Sequence, residues 1–150
     1  MSDTVIRLAV QGERSNLEAL QWRASLANAG DRDALLAHPD AIALPVEQIV
    51  DGNVLVAERE GVIIGFAAVL PRPDADTELD ALFVEPGLWK RGVGRLLVER
   101  CADLARSRGS RILHVVGNPH AEGFYAACGF RTTGSVETRF GVGLAMQREL

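Results

Sequence analysis

The chain has 150 residues, of which 47% are hydrophobic and 24% charged, and its formal net charge is −4. That length predicts one domain over residues 1–150, large enough to bury a core without disulfide or metal staples. The negative balance argues against general nucleic-acid binding, no apolar run reaches membrane-spanning length, and Cys101 and Cys128 offer neither a disulfide framework nor a zinc spacing.

The opening stretch MSDTVIRLAV has no signal-like apolar run, so a cytoplasmic protein with free, buried thiols is expected. Residues 4–10 read as a first strand. Residues 15–30 read as a helix, with Ser15 as N-cap, Glu18 completing a capping box and Gly30 as the stop. A second helix follows over 31–38, broken by Pro39, and a helical turn follows Pro45. The runs NVLVAERE and GVIIGFAAVL alternate as two arms of a hairpin, closed by EREG and ended at Pro71 and Pro73.

Residues 77–84, TELDALFV, are a fourth strand. Val93, Leu96, Leu97, Cys101 and Leu104 then recur at helical spacing, and Gly109 closes that helix. RILHVV is a fifth strand, AEGFYAACG a short helix, and residues 131–150 two further strands. Strand, long helix and strand at 77–116 make a crossover with parallel pairing, whereas the hairpins require antiparallel pairing. The predicted class is α/β (α+β): a mixed central sheet of seven strands with helices on both faces.

The turn EPGLWKRGVG, between the fourth strand and the long helix, carries the strongest chemical signal. Gly92 and Gly94 let backbone amides approach a ligand, and the first amides of a helix have no intrahelical acceptor. Lys90, Arg91 and Arg95 crowd a helix start, where acidic residues are the norm. An anion docked on the helix start accounts for that charge; a solvated turn is the plainer alternative. A Walker loop needs Gly followed by Lys and Ser or Thr, which is absent, and Leu97 stands where a Rossmann fingerprint has its third glycine.

The stretch WKRGVG resembles the pyrophosphate loop of the GNAT superfamily of N-acetyltransferases, in which Gln or Arg is followed, after two intervening residues, by Gly, any residue, and Gly or Ala. Both glycine positions match; Trp89 stands where the family has Gln or Arg. NPHAEGFYAACGF, residues 118–130, resembles the family's second motif, and ELDALFVEP resembles the strand before the loop. The resemblance implies a GNAT fold and an acetyl-CoA-dependent transfer of acetyl directly to a primary amine. It implies that the amides of Arg91, Gly92, Val93, Gly94 and Arg95 hold the coenzyme A pyrophosphate. It also implies a divergence of the fourth and fifth strands, which offers the backbone of Leu82, Phe83 and Val84 to the pantetheine, with Asn118 as a further contact.

Transfer to an amine needs a neutral nucleophile, a stabilised thioester oxygen and a proton for the departing thiolate. The resemblance makes Tyr125, the only tyrosine, the general acid; a packed aromatic is the alternative. Glu78 and Asp80 share one face of the fourth strand. Glu78 matches a glutamate of histone-acetylating members, so the base is Glu78, Asp80 or a water. Trp22 and Arg23 are candidates for lining the acceptor pocket, and His114 for a structural histidine. His38, His114 and His120 are scattered, so no metal is expected. The acceptor amine is the expected partner, with no nucleic acid or membrane, and a homodimer stays open. So do a non-catalytic acyl-CoA-binding module on the same fold and a nucleotide-binding enzyme built on the glycine turn.

Overall fold

A computed structural model describes residues 3–150. In chain order the elements are β1 (Val5–Leu8), α1 (Arg14–Ala27), α2 (Ala29–Ala37), α3 (Val46–Val50), β2 (Val54–Arg59), β3 (Val62–Pro71), β4 (Thr77–Val84), α4 (Val93–Ser107), β5 (Ile112–Gly117), α5 (Glu122–Ala127), β6 (Arg131–Thr138) and β7 (Gly141–Glu149). The strands form one seven-stranded sheet in the order β1-β2-β3-β4-β5-β7-β6. Only β4 and β5 pair in parallel, joined through α4 as the crossover rule requires; every other neighbouring pair is antiparallel.

Both faces of the central strands are buried. In β2, Val54 and Val56 face a core shared with Leu17 and Leu20 of α1, while Leu55 and Ala57 face the opposite core. That second core takes in Leu97 and Cys101 of α4, Leu113 and Val115 of β5, and Met146 of β7. The 3.6-residue repeat of α4 thus meets the two-residue repeat of the sheet, and Leu97 and Cys101 are fully buried. Burial raises the Cys101 thiol to about 12, so it stays protonated and inert.

The first helical region departs from the sequence expectation. A short turn at Gln11–Glu13 runs directly into α1, so Ser15 lies inside the helix and does not cap it. Glu13 serves that end, accepting from the Val10 amide at 2.9 Å and from Arg7 at 2.6 Å. Glu18 accepts from the Leu44 amide at 2.9 Å and makes no capping box with Ser15. The break falls at Asn28, which turns extended and caps α2 by accepting from the Gly30 amide at 2.9 Å. Gly30 is therefore in the first turn of α2, not at a helix stop.

Strand β4 sets up the rest. Ala68 pairs with Ala81 and Val69 with Leu79, so Asp80 is an extra residue in a bulge. On its other side β4 pairs with β5 only over Thr77–Leu79 against Leu113–Val115. Beyond that point β5 continues to pair with β7 as far as Gly117, while Ala81–Val84 keep β3 as their sole strand neighbour.

Two measurements test this packing. Leu97→Ala should lower unfolding stability by about 2–5 kcal/mol through transfer and cavity costs, read as a fall in the urea midpoint at unchanged slope. Hydrogen bonds from Arg7, Arg23 and Arg148 hold Glu13, Glu85 and Glu99 below the ordinary 4.5. Their stabilisation is present above that value and is lost as pH falls through the lower folded values. The melting temperature should therefore drop below about pH 4.5, and Arg148→Met should shrink that acid-dependent part.

Candidate active site

Past Val84 the chain makes a short turn, Pro86–Leu88, and reaches α4 through residues 89–92. Lys90 and Gly92 adopt left-handed φ values of 63° and 86°. Only glycine does this without strain, and Gly92 occupies the N-cap with no side chain over the helix start. Leu96 donates to the Gly92 carbonyl at 3.0 Å. The preceding amides, of Val93, Gly94 and Arg95, donate to no acceptor among the described residues, and the first turn carries no acidic side chain.

Trp89, the residue that breaks the family pattern, has a structural job. Its indole Nε1 donates to the Val84 carbonyl at 2.8 Å, fastening the loop to the end of β4. Arg23 of α1 fastens the other side, with a two-pronged bond to Glu85 at 2.8 and 2.9 Å. That pairing also offsets the negative charge of Glu85 beside the helix start. Arg23 is thereby committed to the loop, and neither it nor Trp22 lines the cavities described next.

A cleft of about 520 Å3 lies between the free edge of β4, the loop, α4 and α5. Leu82, Phe83, Val84, Gly92, Val93, Gly94, Arg95 and Tyr125 all line it, as do Lys90, Trp89 and Cys128. Gly94 is needed for more than its amide: a Cβ there would lie 3.2 Å from Phe124 Cζ. Tyr125 is 8% exposed, with its ring edge-on to Phe124 at 5.1 Å and to Phe130 at 5.5 Å. Its hydroxyl makes no hydrogen bond among the described residues. Burial raises its pKa above the usual 10.0, and the Cys128 and Asp31 charges push the same way. The phenol is therefore a protonated donor throughout the neutral range.

A smaller cavity of about 260 Å3 lies beyond β4, against α2, β5 and β7. Phe83 and Asp31 line both spaces, so the two meet there. Asn118 lines the smaller one. Its Oδ1 accepts from the His120 amide at 2.9 Å, and its Nδ2 donates to Asp31 at 3.1 Å.

Three sequence candidates stand apart. Arg91 is exposed and lines neither cavity. Glu78 lies at the end of β4 still paired with β5, lines neither cavity and faces Arg72 at 3.8 Å. Asp80, in the bulge, is exposed beside Gln48 at 3.5 Å. His114 is held by Asp76 at 3.3 Å; Asp76 also accepts from the amides of Arg111 and Ile112, tying the start of β4 to β5. Asp31 was not among the sequence candidates, because an acid in the polar first turn of a helix carries no pattern of its own.

A sequence model described as the acetyltransferase (GNAT) family matches residues 17–130. The chain belongs to that family. It is 32% identical over 91 residues to an uncharacterized N-acetyltransferase of Mycobacterium bovis, a match covering 59% of this chain and 58% of the relative. It is 37% identical over 59 residues to the peptidyl-lysine N-acetyltransferase YjaB of Salmonella typhimurium, covering 39% of each. These matches span less than two thirds of either relative's length. Among solved structures, a GCN5-related N-acetyltransferase from Rhodopseudomonas palustris superposes with a TM-score of 0.79 at 25% identity, covering 100% of this chain and 98% of that one. PaiA N-acetyltransferase of Thermoplasma acidophilum, in complex with coenzyme A, shares the fold with a TM-score of 0.77 at 16% identity and 99% coverage of both.

The Trp89 bond is separately testable. Trp89→Phe keeps an aromatic ring but deletes the donor, which should cost about 0.5–1.5 kcal/mol of stability. Hydrogen exchange should quicken at residues 85–92 and remain unchanged in β2.

Proposed function

We propose that this GNAT-family chain binds acetyl-CoA in the larger cleft and transfers its acetyl group to a primary amine entering through the smaller cavity. One observation carries the reading: the free edge of β4, the unpaired amides of α4 and the buried phenol of Tyr125 converge on one cleft. The coenzyme A complex of the PaiA relative supports the same ligand here. Bound acetyl-CoA would supply the acetyl group as a thioester.

The residues present suit each part of that ligand. A diphosphate is satisfied by the amides of Val93, Gly94 and Arg95, with the helix dipole and the Lys90 and Arg95 side chains adding attraction. An extended amide-bearing arm pairs with the free edge of Leu82–Val84 as a missing strand would. An amide of Leu82 or Phe83 stabilises negative charge growing on the thioester oxygen. Arg91, exposed at the loop, contributes its amide and long-range charge. Asn118 acts on the acceptor side through Asp31.

In the reaction the amine nitrogen, having lost one proton to solvent, forms the C–N bond as the C–S bond breaks. Tyr125 gives its proton to the departing sulfur and regains one from the nitrogen. The sum is an ammonium ion and a thioester converted to an amide, a thiol and one released proton. That first proton passes to solvent, directly or by way of the Asp31 carboxylate, which lines both cavities; Glu78 faces Arg72 outside them.

Isothermal titration should show 1:1 coenzyme A binding. Gly94→Val should weaken it about tenfold, because a branched side chain there would press on the Phe124 ring and crowd the cleft; that corresponds to about 1.4 kcal/mol. Tyr125→Phe should leave that affinity intact and cut kcat about 100-fold or more. Because its pKa is raised, the wild-type rate should climb with pH as the amine deprotonates and show no alkaline fall near 10.0. Equal turnover by Tyr125→Phe would remove the phenol from the chemistry; coenzyme A binding without turnover of any amine would make the chain a binding module.

A further inference from the structure

The smaller cavity has an unusual charge inventory. Among the described residues, Asp31 is the only ionisable side chain lining it; no described lysine, arginine or histidine does. It sits at the junction with the larger cleft, where the thioester end of the ligand would lie. Away from Asp31 the lining includes the apolar side chains of Leu35, Ile42, Phe83, Val116, Phe140 and Val142, the last three of which also face solvent. The remaining polar contributions come from neutral groups, among them Gln21, Ser25 and Thr138.

The cavity also has a roof. The β6–β7 turn carries Phe140 to within 5.5 Å of the His38 ring, between centroids. Arg139 lies 5.1 Å from the Phe140 ring centre and 3.9 Å from Asp40. These contacts tie the hairpin tip to the chain just after α2. At the floor, α2 packs so closely on residues 118–120 that a Cβ on Gly30 would lie 2.6 Å from His120 Cδ2.

From this arrangement we propose that the acceptor is a small primary amine with one positive charge and an apolar body, its ammonium group held by Asp31. The inference rests on the acetyl-transfer reading. A free amino acid is disfavoured, because its carboxylate would lie close to that of Asp31 and no side chain lining the cavity is cationic. A polyamine or aminoglycoside gains less from the site, since the lining offers one carboxylate for one charge and no second acid. The volume of about 260 Å3 is below that of drug-sized sites and fits a compact molecule. A lysine side chain shares the single charge, but a cavity walled on several sides by branched and aromatic residues fits a ring or branched body better than a linear stem.

The test uses the full chain with acetyl-CoA, following thiol release. The probes are phenethylamine, phenylalanine, spermidine, an aminoglycoside and a lysine-containing peptide. Phenethylamine should exceed phenylalanine, spermidine and the aminoglycoside in kcat/KM by at least about tenfold through charge matching, and should exceed the lysine-containing peptide through the fit of its ring. Asp31→Asn keeps the size of the side chain and its acceptor for Asn118. It should raise the phenethylamine KM at least about tenfold, and its melting curve reports folding. Preference for phenylalanine, spermidine, the aminoglycoside or the peptide overturns the proposal, as does acetyl-CoA binding without phenethylamine turnover. A wild-type chain that fails to bind acetyl-CoA in calorimetry sinks the acetyl-transfer reading itself, a separate and recognisable outcome.

Discussion

After Leu79, β4 parts from β5. A strand inside a sheet has its backbone groups satisfied on both sides; Ala81–Val84 have β3 on one side only. An open edge in the middle of a sheet is costly and prone to pairing with whatever extended chain arrives. Here the edge is sheltered in a cleft, and the Trp89 indole occupies the Val84 carbonyl at its far end. The bulge at Asp80 lies where the separation starts, and bulges increase local twist. The interruption of pairing opens the cleft, and the strand left unpaired supplies the cleft with donors and acceptors.

The electrostatics reinforce that geometry. A helix that begins on a left-handed glycine presents bare amides, and its positive end is bordered by basic side chains. The acid closest in sequence before the turn, Glu85, is bound by Arg23 from another helix. The opposite sign prevails across β4. There Asp31 supplies, among the described residues, the one ionisable group of the smaller cavity, and Phe83 forms part of both walls. On the proposed reading, a doubly anionic group on one side and a cation on the other would be drawn toward the same stretch of backbone.

Much of this was legible in the sequence because it depends on local periodicity. The alternation in β2, β3 and β4 and the repeat in α4 place those elements within a residue or two of their true bounds, and the glycine pair marks the helix start. Misplaced features depend on distant partners. Ser15 looked like a cap because nothing local reveals that the Gln11–Glu13 turn already begins the helix. Gly30 looked like a stop because Asn28, an equally plausible breaker, takes effect only when α2 docks on residues 118–120. Glu78 is a candidate base by spacing, and its absence from the lining of both cavities reflects its place on the part of β4 still paired with β5. Asp31 gave no signal at all: its role comes from standing between two cavities that exist only in the assembled fold.

The central claim is that one cleft holds a diphosphate on the first amides of α4 and extends a thioester along β4 toward Tyr125. A crystal structure with acetyl-CoA tests it most directly. The diphosphate oxygens should lie within hydrogen-bond distance of the Val93, Gly94 and Arg95 amides, with the pantetheine against Leu82–Val84 and the sulfur beside the Tyr125 hydroxyl. Coenzyme density elsewhere on the surface, with β4 still bare and Tyr125 remote from sulfur, would contradict the account.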